Sequence, residues 1–211
     1  MAGFETSAIV LIYLVYELSK QPDMQEALQK ELLTLHPPII SSSAPVLPSA
    51  KVLDSLPLLH AILYETLRLH AAIPGPQVRV TPNTSSALGP DGRYADIPPG
   101  VRISAQAWSL HRNEEVFPAA EEWQPHRWLT TNAQGGYKIR DDDKGKEMQR
   151  WFWAFGSGGR MCVGSNLAMH RMIPSPFEHF STESERGLTS LNRNEAYHWG
   201  NLLEFSCNCY R

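Results

Sequence analysis

Cysteine is scarce and poorly spaced for cross-linking: the 211-residue chain has three, Cys162, Cys207 and Cys209. That excludes a disulfide-stapled secreted module and leaves Cys162 as an expected free thiol in a reducing interior. An excess of positive charge is also missing. Nineteen Lys and Arg against 22 Asp and Glu give a formal charge of -3, so no nucleic-acid partner is recruited by bulk charge. Nor is there a long hydrophobic run, since Ala8 to Tyr16 falls far short of the roughly 20 residues that span a bilayer. No transmembrane or targeting segment is expected, and no internal repeat is found. What remains is 42% hydrophobic residues, enough for one or two globular domains with a sizeable core.

Helices followed by irregular segments are the expected organisation. Residues 3 to 20 are apolar on nearly every face and predict a buried helix crossing a core. Pro22 and Asp23 mark a stop and a restart, after which Met24, Ala27, Leu28, Leu32 and Leu35 recur at helical spacing. Residues 36 to 50, HPPIISSSAPVLPSA, form a proline and serine loop. LPLLHAILYETLRLH predicts another helix, ending before Pro74. Short strands follow in QVRVT and RYADIPPGVRISAQAW, with Pro98, Pro99 and Gly100 as a turn. From Arg112 to Arg150 the chain is mostly loop, and Lys138 to Arg150 reads as solvated. Cys207-Asn208-Cys209 lacks paired ligands and reads as incidental.

One stretch concentrates unusual residues: FGSGGRMCVG, 155 to 164. It is not a phosphate-binding loop, because Ser165 and Asn166 stand where Lys and then Ser or Thr are required. It is not a dinucleotide fingerprint, because Met161 occupies the third glycine position. No protease-like signature surrounds Cys162. Its glycines give backbone freedom and close approach, and VGSNLAM opens a helix whose N-terminal partial charge suits an anionic thiolate. With no second Cys or His at zinc spacing, a metal held here brings its other ligands with it, as haem does.

Phe155, Gly158, Arg160, Cys162 and Gly164 match F-x-x-G-x-R-x-C-x-G, and on these residues the chain resembles the cytochrome P450 family of haem-thiolate monooxygenases, of the eukaryotic type. The resemblance implies that Cys162 is the axial iron ligand and favours O-O cleavage. It further implies that Arg160 pairs with a haem propionate, that Phe155 packs beside the sulfur and that Gly164 lets the next helix approach the porphyrin. Glu65 and Arg68 in ETLR resemble the family's E-x-x-R, and Arg127 in WQPHRW resembles the arginine that completes a buried Glu-Arg-Arg network with them, a structural role. AGFETS, residues 2 to 7, resembles the oxygen-activating helix, where Thr6 and Glu5 would relay protons and Ala2 and Gly3 would line the distal pocket. Arg79 falls where the family often has a second propionate-binding arginine.

The fold this implies is mainly α with small β elements, the C-terminal portion of the family's fold truncated at both ends. Residues 1 to 170 would be a partial haem domain running from the oxygen-activating helix to the cysteine loop. Residues 171 to 211, after the helix-breaking Pro174 and Pro176, would be a divergent tail, disordered or the product of a missed splice or frameshift. Implied partners are haem b, an NADPH-dependent cytochrome reductase, O2 and an apolar small-molecule substrate facing Ala72 to Gln77. Such proteins are typically associated with the endoplasmic-reticulum membrane, and for a chain without the anchor the expected location is cytoplasmic or unknown. The competing expectation is a non-enzymatic remnant that binds haem poorly, since family members run to roughly twice this length or more.

Overall fold

A computed structural model describes residues 2–35, 50–83, 86–88, 92–133 and 135–174. Residues 36–49 of the proline and serine loop, Pro176, the Cys207/Cys209 pair and nearly all of the expected tail lie outside these residues, while Ala50 opens a helix. Within them the fold is α+β: helices α1 (Ala2–Ser19), α2 (Pro22–Leu33), α3 (Ala50–Leu53), α4 (Pro57–Leu69), α5 (Ala107–Leu110), α6 (Asp143–Trp151) and α7 (Ser165–Met172), with six short strands. These are β1 (Pro76–Val80), β2 (Ser86–Leu88), β3 (Tyr94–Ile97), β4 (Arg102–Gln106), β5 (Leu129–Thr131) and β6 (Tyr137–Ile139). No helix among the described residues is long and apolar enough to cross a membrane.

α4 is the centre of the core. Ten of its thirteen residues are buried, including Leu58, Leu59, Ile62, Leu63 and Leu67, and each fully buried aliphatic side chain contributes about 1.5 to 3 kcal/mol. Its N-terminus has no side-chain cap of its own. Instead α2 provides one: the Glu31 carboxylate accepts from the N–H groups of Leu58 at 2.8 Å and Leu59 at 2.9 Å, two of the donors a helix start leaves unpaired. Burial pushes the Glu31 carboxyl up, and these two N–H groups partly offset that. α2 itself starts with Pro22 in the first turn, where the missing N–H costs no bond.

α1 is less buried than the expected helix crossing a core. Only Ser7, Val10, Leu14, Glu17, Leu18 and Ser19 are buried, while Phe4 and Tyr16 are exposed. Among the described residues α1 packs against α2, α4 and α7, which cover one side of it. The buried face carries its own polar tie: Glu17 accepts from Lys20 at 2.8 Å and pairs with His70 at 2.9 Å, and the His70 ring lies flat on Tyr13 with centroids 4.2 Å apart.

The strands form three antiparallel pairs, β1 with β4, β2 with β3, and β5 with β6. The strands flanking the Pro98-Pro99-Gly100 turn therefore do not pair with each other. Thr81 explains this. Its N–H donates to Val101 at 3.0 Å, its hydroxyl donates to Pro98 O at 2.7 Å and accepts from Val101 N–H at 2.9 Å, so the chain leaving the turn is clasped to the end of β1. Register then runs from Val80 opposite Arg102 to Pro76 opposite Gln106.

The run from Lys138 to Arg150 is largely exposed, as expected, but it is not a loop: it contains part of β6 and nearly all of α6. Asp142 caps α6 by accepting from Gly145 N–H at 2.8 Å, and Gly145 and Met148 are its buried residues. A helix burying so little of its surface leaves no apolar period to read. α7 stops at Met172, two residues before Pro174, which lacks the N–H to continue it.

Candidate active site

Two clusters hold most of the residues that the sequence singles out. The first surrounds the fully buried Glu65. Its Oε1 accepts from Arg68 Nη2 at 2.8 Å, Gln124 N–H at 2.9 Å and Arg127 Nε at 3.0 Å; its Oε2 accepts from Trp128 Nε1 at 2.8 Å and Arg68 Nε at 3.0 Å. Arg68 uses its remaining donors on three loop carbonyls: Nη1 reaches His111 O at 2.8 Å and Ala120 O at 2.7 Å, and Nη2 reaches Glu122 O at 3.0 Å. Arg127 adds Pro118 O at 2.8 Å and Ala119 O at 3.3 Å. Two guanidinium groups thus share one carboxylate, and five carbonyl dipoles disperse the surplus positive charge.

Trp123, Gln124 and Trp128 belong to this cluster too, and the sequence gives them no role. Trp123 Nε1 donates to Thr66 Oγ1 at 3.0 Å. The signal was at hand in WQPHRW, whose two indoles flank the arginine, and a buried indole N–H needs an acceptor.

The second cluster is the cysteine loop. Phe155 and Cys162 close it: Cys162 N–H donates to Phe155 O at 2.8 Å. Inside, Gly156 and Gly158 adopt φ of +71° and +70°, a region that favours glycine, and Gly158–Arg160 form a 3-10 turn. Phe155 is half-buried and packs on the core. Cys162 is a free, exposed thiol, with Met161, Val163 and Leu167 as exposed apolar neighbours. Where α7 begins, a Cβ at Gly164 would meet only Cys162 Sγ, at 3.9 Å, an ordinary contact. Arg160 is exposed.

The other singled-out residues sit apart from these clusters. Arg79 lies on β1, and its Nη1 donates to Val78 O at 3.0 Å. Glu5 is exposed and Thr6 half-buried in the first turns of α1, the helix that packs on α7. A Cβ at Gly3 would touch nothing within 4 Å. Clefts of about 510 and 540 Å³ open elsewhere, beside Trp123 and beside Glu31, and neither is lined by residues 155–164.

Cys162 offers one donor of a kind that a haem iron takes. Among the described residues no group of three or more His, Cys, Asp or Glu is placed to hold a metal ion. The exposed thiol with Met161, Val163 and Leu167 beside it is compatible with a metal that carries its other ligands in an apolar macrocycle.

Comparison with known proteins gives the same answer. The cytochrome P450 monooxygenase orf2 of Aspergillus niger is 32% identical over 80% of this chain and 29% of its own length. The cytochrome P450 monooxygenase cicH of Emericella nidulans is 33% identical over 82% of the chain and 32% of its own length. The mitochondrial sterol 26-hydroxylase of Rattus norvegicus is 32% identical over 80% and 28%. The chain thus spans about a third of the length of the curated relatives it matches. The family model for cytochrome P450 matches residues 1–186, and the chain belongs to the cytochrome P450 family.

Proposed function

We propose that the chain supplies the thiolate side of a haem monooxygenase that inserts one atom of O2 into an apolar organic substrate, with electrons from NADPH delivered by a reductase. The observation that carries the reading is Cys162: one exposed thiol on a loop closed by its own N–H, with apolar residues on both sides of it. Haem bound through that thiolate would supply the redox chemistry.

The chain's own residues take distinct parts. Cys162 would hold the iron through its thiolate and supply electron density to it. Arg160, exposed on the loop, and Arg79, on β1, offer guanidinium groups for the propionates. Phe155 limits water at the sulfur. Thr6 Oγ1 would hold a proton on the α1 side of the site, and the exposed Glu5 carboxylate would exchange it with solvent. Ala72 to Gln77 face the substrate. Glu65, Arg68 and Arg127 hold the backbone behind the loop and touch no reactant.

A second reading rests on the exposure of Phe4, Ile73, Met161, Val163 and Leu167. On that reading the uncovered apolar surface is left without a partner, and the chain would bind haem poorly and be a non-enzymatic remnant. One experiment separates the two: load the chain with haem, reduce it, add CO and record the Soret band. The strongly red-shifted band of thiolate ligation, lost in Cys162→Ser, supports the first reading; its absence from the wild type supports the second.

A further inference from the structure

His111 is fully buried between the two clusters, on the segment after α5. Its ring makes two short bonds of opposite kind. Nδ1 lies 2.7 Å from Arg68 O, which only accepts, and Nε2 lies 2.7 Å from Trp153 N–H, which only donates. The partners therefore fix one state, a neutral imidazole protonated on Nδ1. The ring is held by Phe152 stacked at 5.5 Å and Phe117 edge-on at 6.4 Å.

From Trp153 the bonding continues into the loop: Trp153 O accepts from Gly156 N–H at 3.0 Å, and Phe155 O accepts from Cys162 N–H at 2.8 Å. On the other side, Arg68 Nη1 donates back to His111 O. His111 is thus the side chain that joins the end of α4 and its Glu65 network to the first backbone N–H of the segment leading to the thiol.

We propose that His111 is a positioning residue for Cys162: its Nε2 lone pair sets where the loop begins, and the loop's internal hydrogen bonds carry that placement to the sulfur. The role in ligation rests on the haem-thiolate reading above, while the role in placing the loop does not. Burial pulls the imidazole down to about 4, which keeps the accepting lone pair free at neutral pH.

Two substitutions divide the ring's functions. His111→Gln extends an amide to the Nε2 position and keeps an acceptor for Trp153; His111→Asn keeps a donor near Arg68 O and falls short of Trp153. Hydrogen exchange of the full chain, read by mass spectrometry over residues 153–162 and 57–69, is the first measurement. His111→Asn should speed exchange in 153–162 by about tenfold, as loss of one buried hydrogen bond implies, and leave 57–69 protected; His111→Gln should keep both near wild type. Equal protection of 153–162 in the two variants, or deprotection of both segments together in His111→Asn, overturns the proposal. If His111→Asn does not fold, loss of loop protection in His111→Gln overturns it and retention supports it. In the haem-loaded, CO-bound chain, His111→Asn should lose a larger fraction of the thiolate Soret band than His111→Gln. Equal fractions overturn the ligation role. No band in the wild type overturns the haem-thiolate reading instead, and exchange alone then decides whether His111 places the loop.

Discussion

Arg68 grips Glu65 with two parallel bonds, Nη2 to Oε1 at 2.8 Å and Nε to Oε2 at 3.0 Å, with both side chains at 0% exposure. An ion pair of this kind is costly to desolvate and costlier to break, because the surviving charge stays buried. Glu65→Ala leaves Arg68 and Arg127 facing each other without a counter-ion and should lower unfolding stability by about 3 to 5 kcal/mol. Arg68→Lys keeps the charge but offers three donors for five acceptor contacts, so carbonyls among His111, Ala120 and Glu122 lose partners. Urea unfolding followed by far-ultraviolet circular dichroism checks both. Equal stability of Arg68→Lys and wild type would show that the planar fork is dispensable.

Gly145 packs α6 against Arg140, the residue that follows β6. A Cβ there would lie 2.6 Å from Arg140 O and 2.9 Å from Arg140 C, backbone atoms that cannot swing aside. Gly145→Ala therefore should destabilise by about 1 to 3 kcal/mol, although alanine is the better helix former. Thermal unfolding of the variant decides this, and a raised midpoint would mean that α6 moves freely from Arg140.

How much of this the sequence discloses depends on where the information lies. Glu65 and Arg68 are readable because helical spacing puts them on one face, and Cys162 because its glycines and arginine fall in a fixed ten-residue order. The surroundings of Arg68 are not readable: its acceptors are the carbonyls of His111, Ala120 and Glu122, and every residue type has a carbonyl. His111 is hidden for the same reason, since its partners are an Arg68 carbonyl and a Trp153 amide. α6 is hidden because a capped helix needs no apolar period to form. The pairing of β4 with β1 in place of β3 depends on Thr81, whose clasp on Pro98 and Val101 is tertiary.

The depressed imidazole of His111 sets a pH dependence. Burial is the main cause; the Arg68 and Arg112 charges push the same way, and the Arg68 carbonyl and Glu65 carboxylate push back. Above pH 6.5 the ring is neutral whether folded or unfolded. As pH falls from 6.5 towards 4, the unfolded chain binds a proton that the folded chain refuses, so stability declines by about 3 kcal/mol in total and levels off below 4. Glu31, whose carboxyl is raised, acts oppositely and gains stability as pH falls. Burial pushes the Glu17 carboxyl up, but bonds from His70 and Lys20 outweigh it and hold it low, so its contribution is lost at more acid pH. Both groups are common to wild type and His111→Gln, and the difference between their stability profiles isolates His111. Parallel profiles from pH 7 to 4 would refute the assignment.

The three glycines before Cys162 should differ sharply in their tolerance of alanine. Gly156 carries two constraints, a φ of +71° and a Cβ position 2.8 Å from Gln77 Oε1. Gly158 carries one, a φ of +70° with nothing within 4 Å, and Gly159 carries neither. A left-handed backbone costs an alanine about 1 to 2 kcal/mol, so Gly158→Ala should lose that amount, Gly159→Ala should be near neutral, and Gly156→Ala should lose the most. The steric share at Gly156 belongs to a flexible side chain. Gln77→Ala should therefore recover part of the Gly156→Ala loss and none of the Gly158→Ala loss, which a double-mutant cycle on thermal unfolding measures. Additive losses at Gly156 and Gln77 would place the whole cost in the backbone. Recovery at Gly158 would show that the loop shifts as a unit on β1.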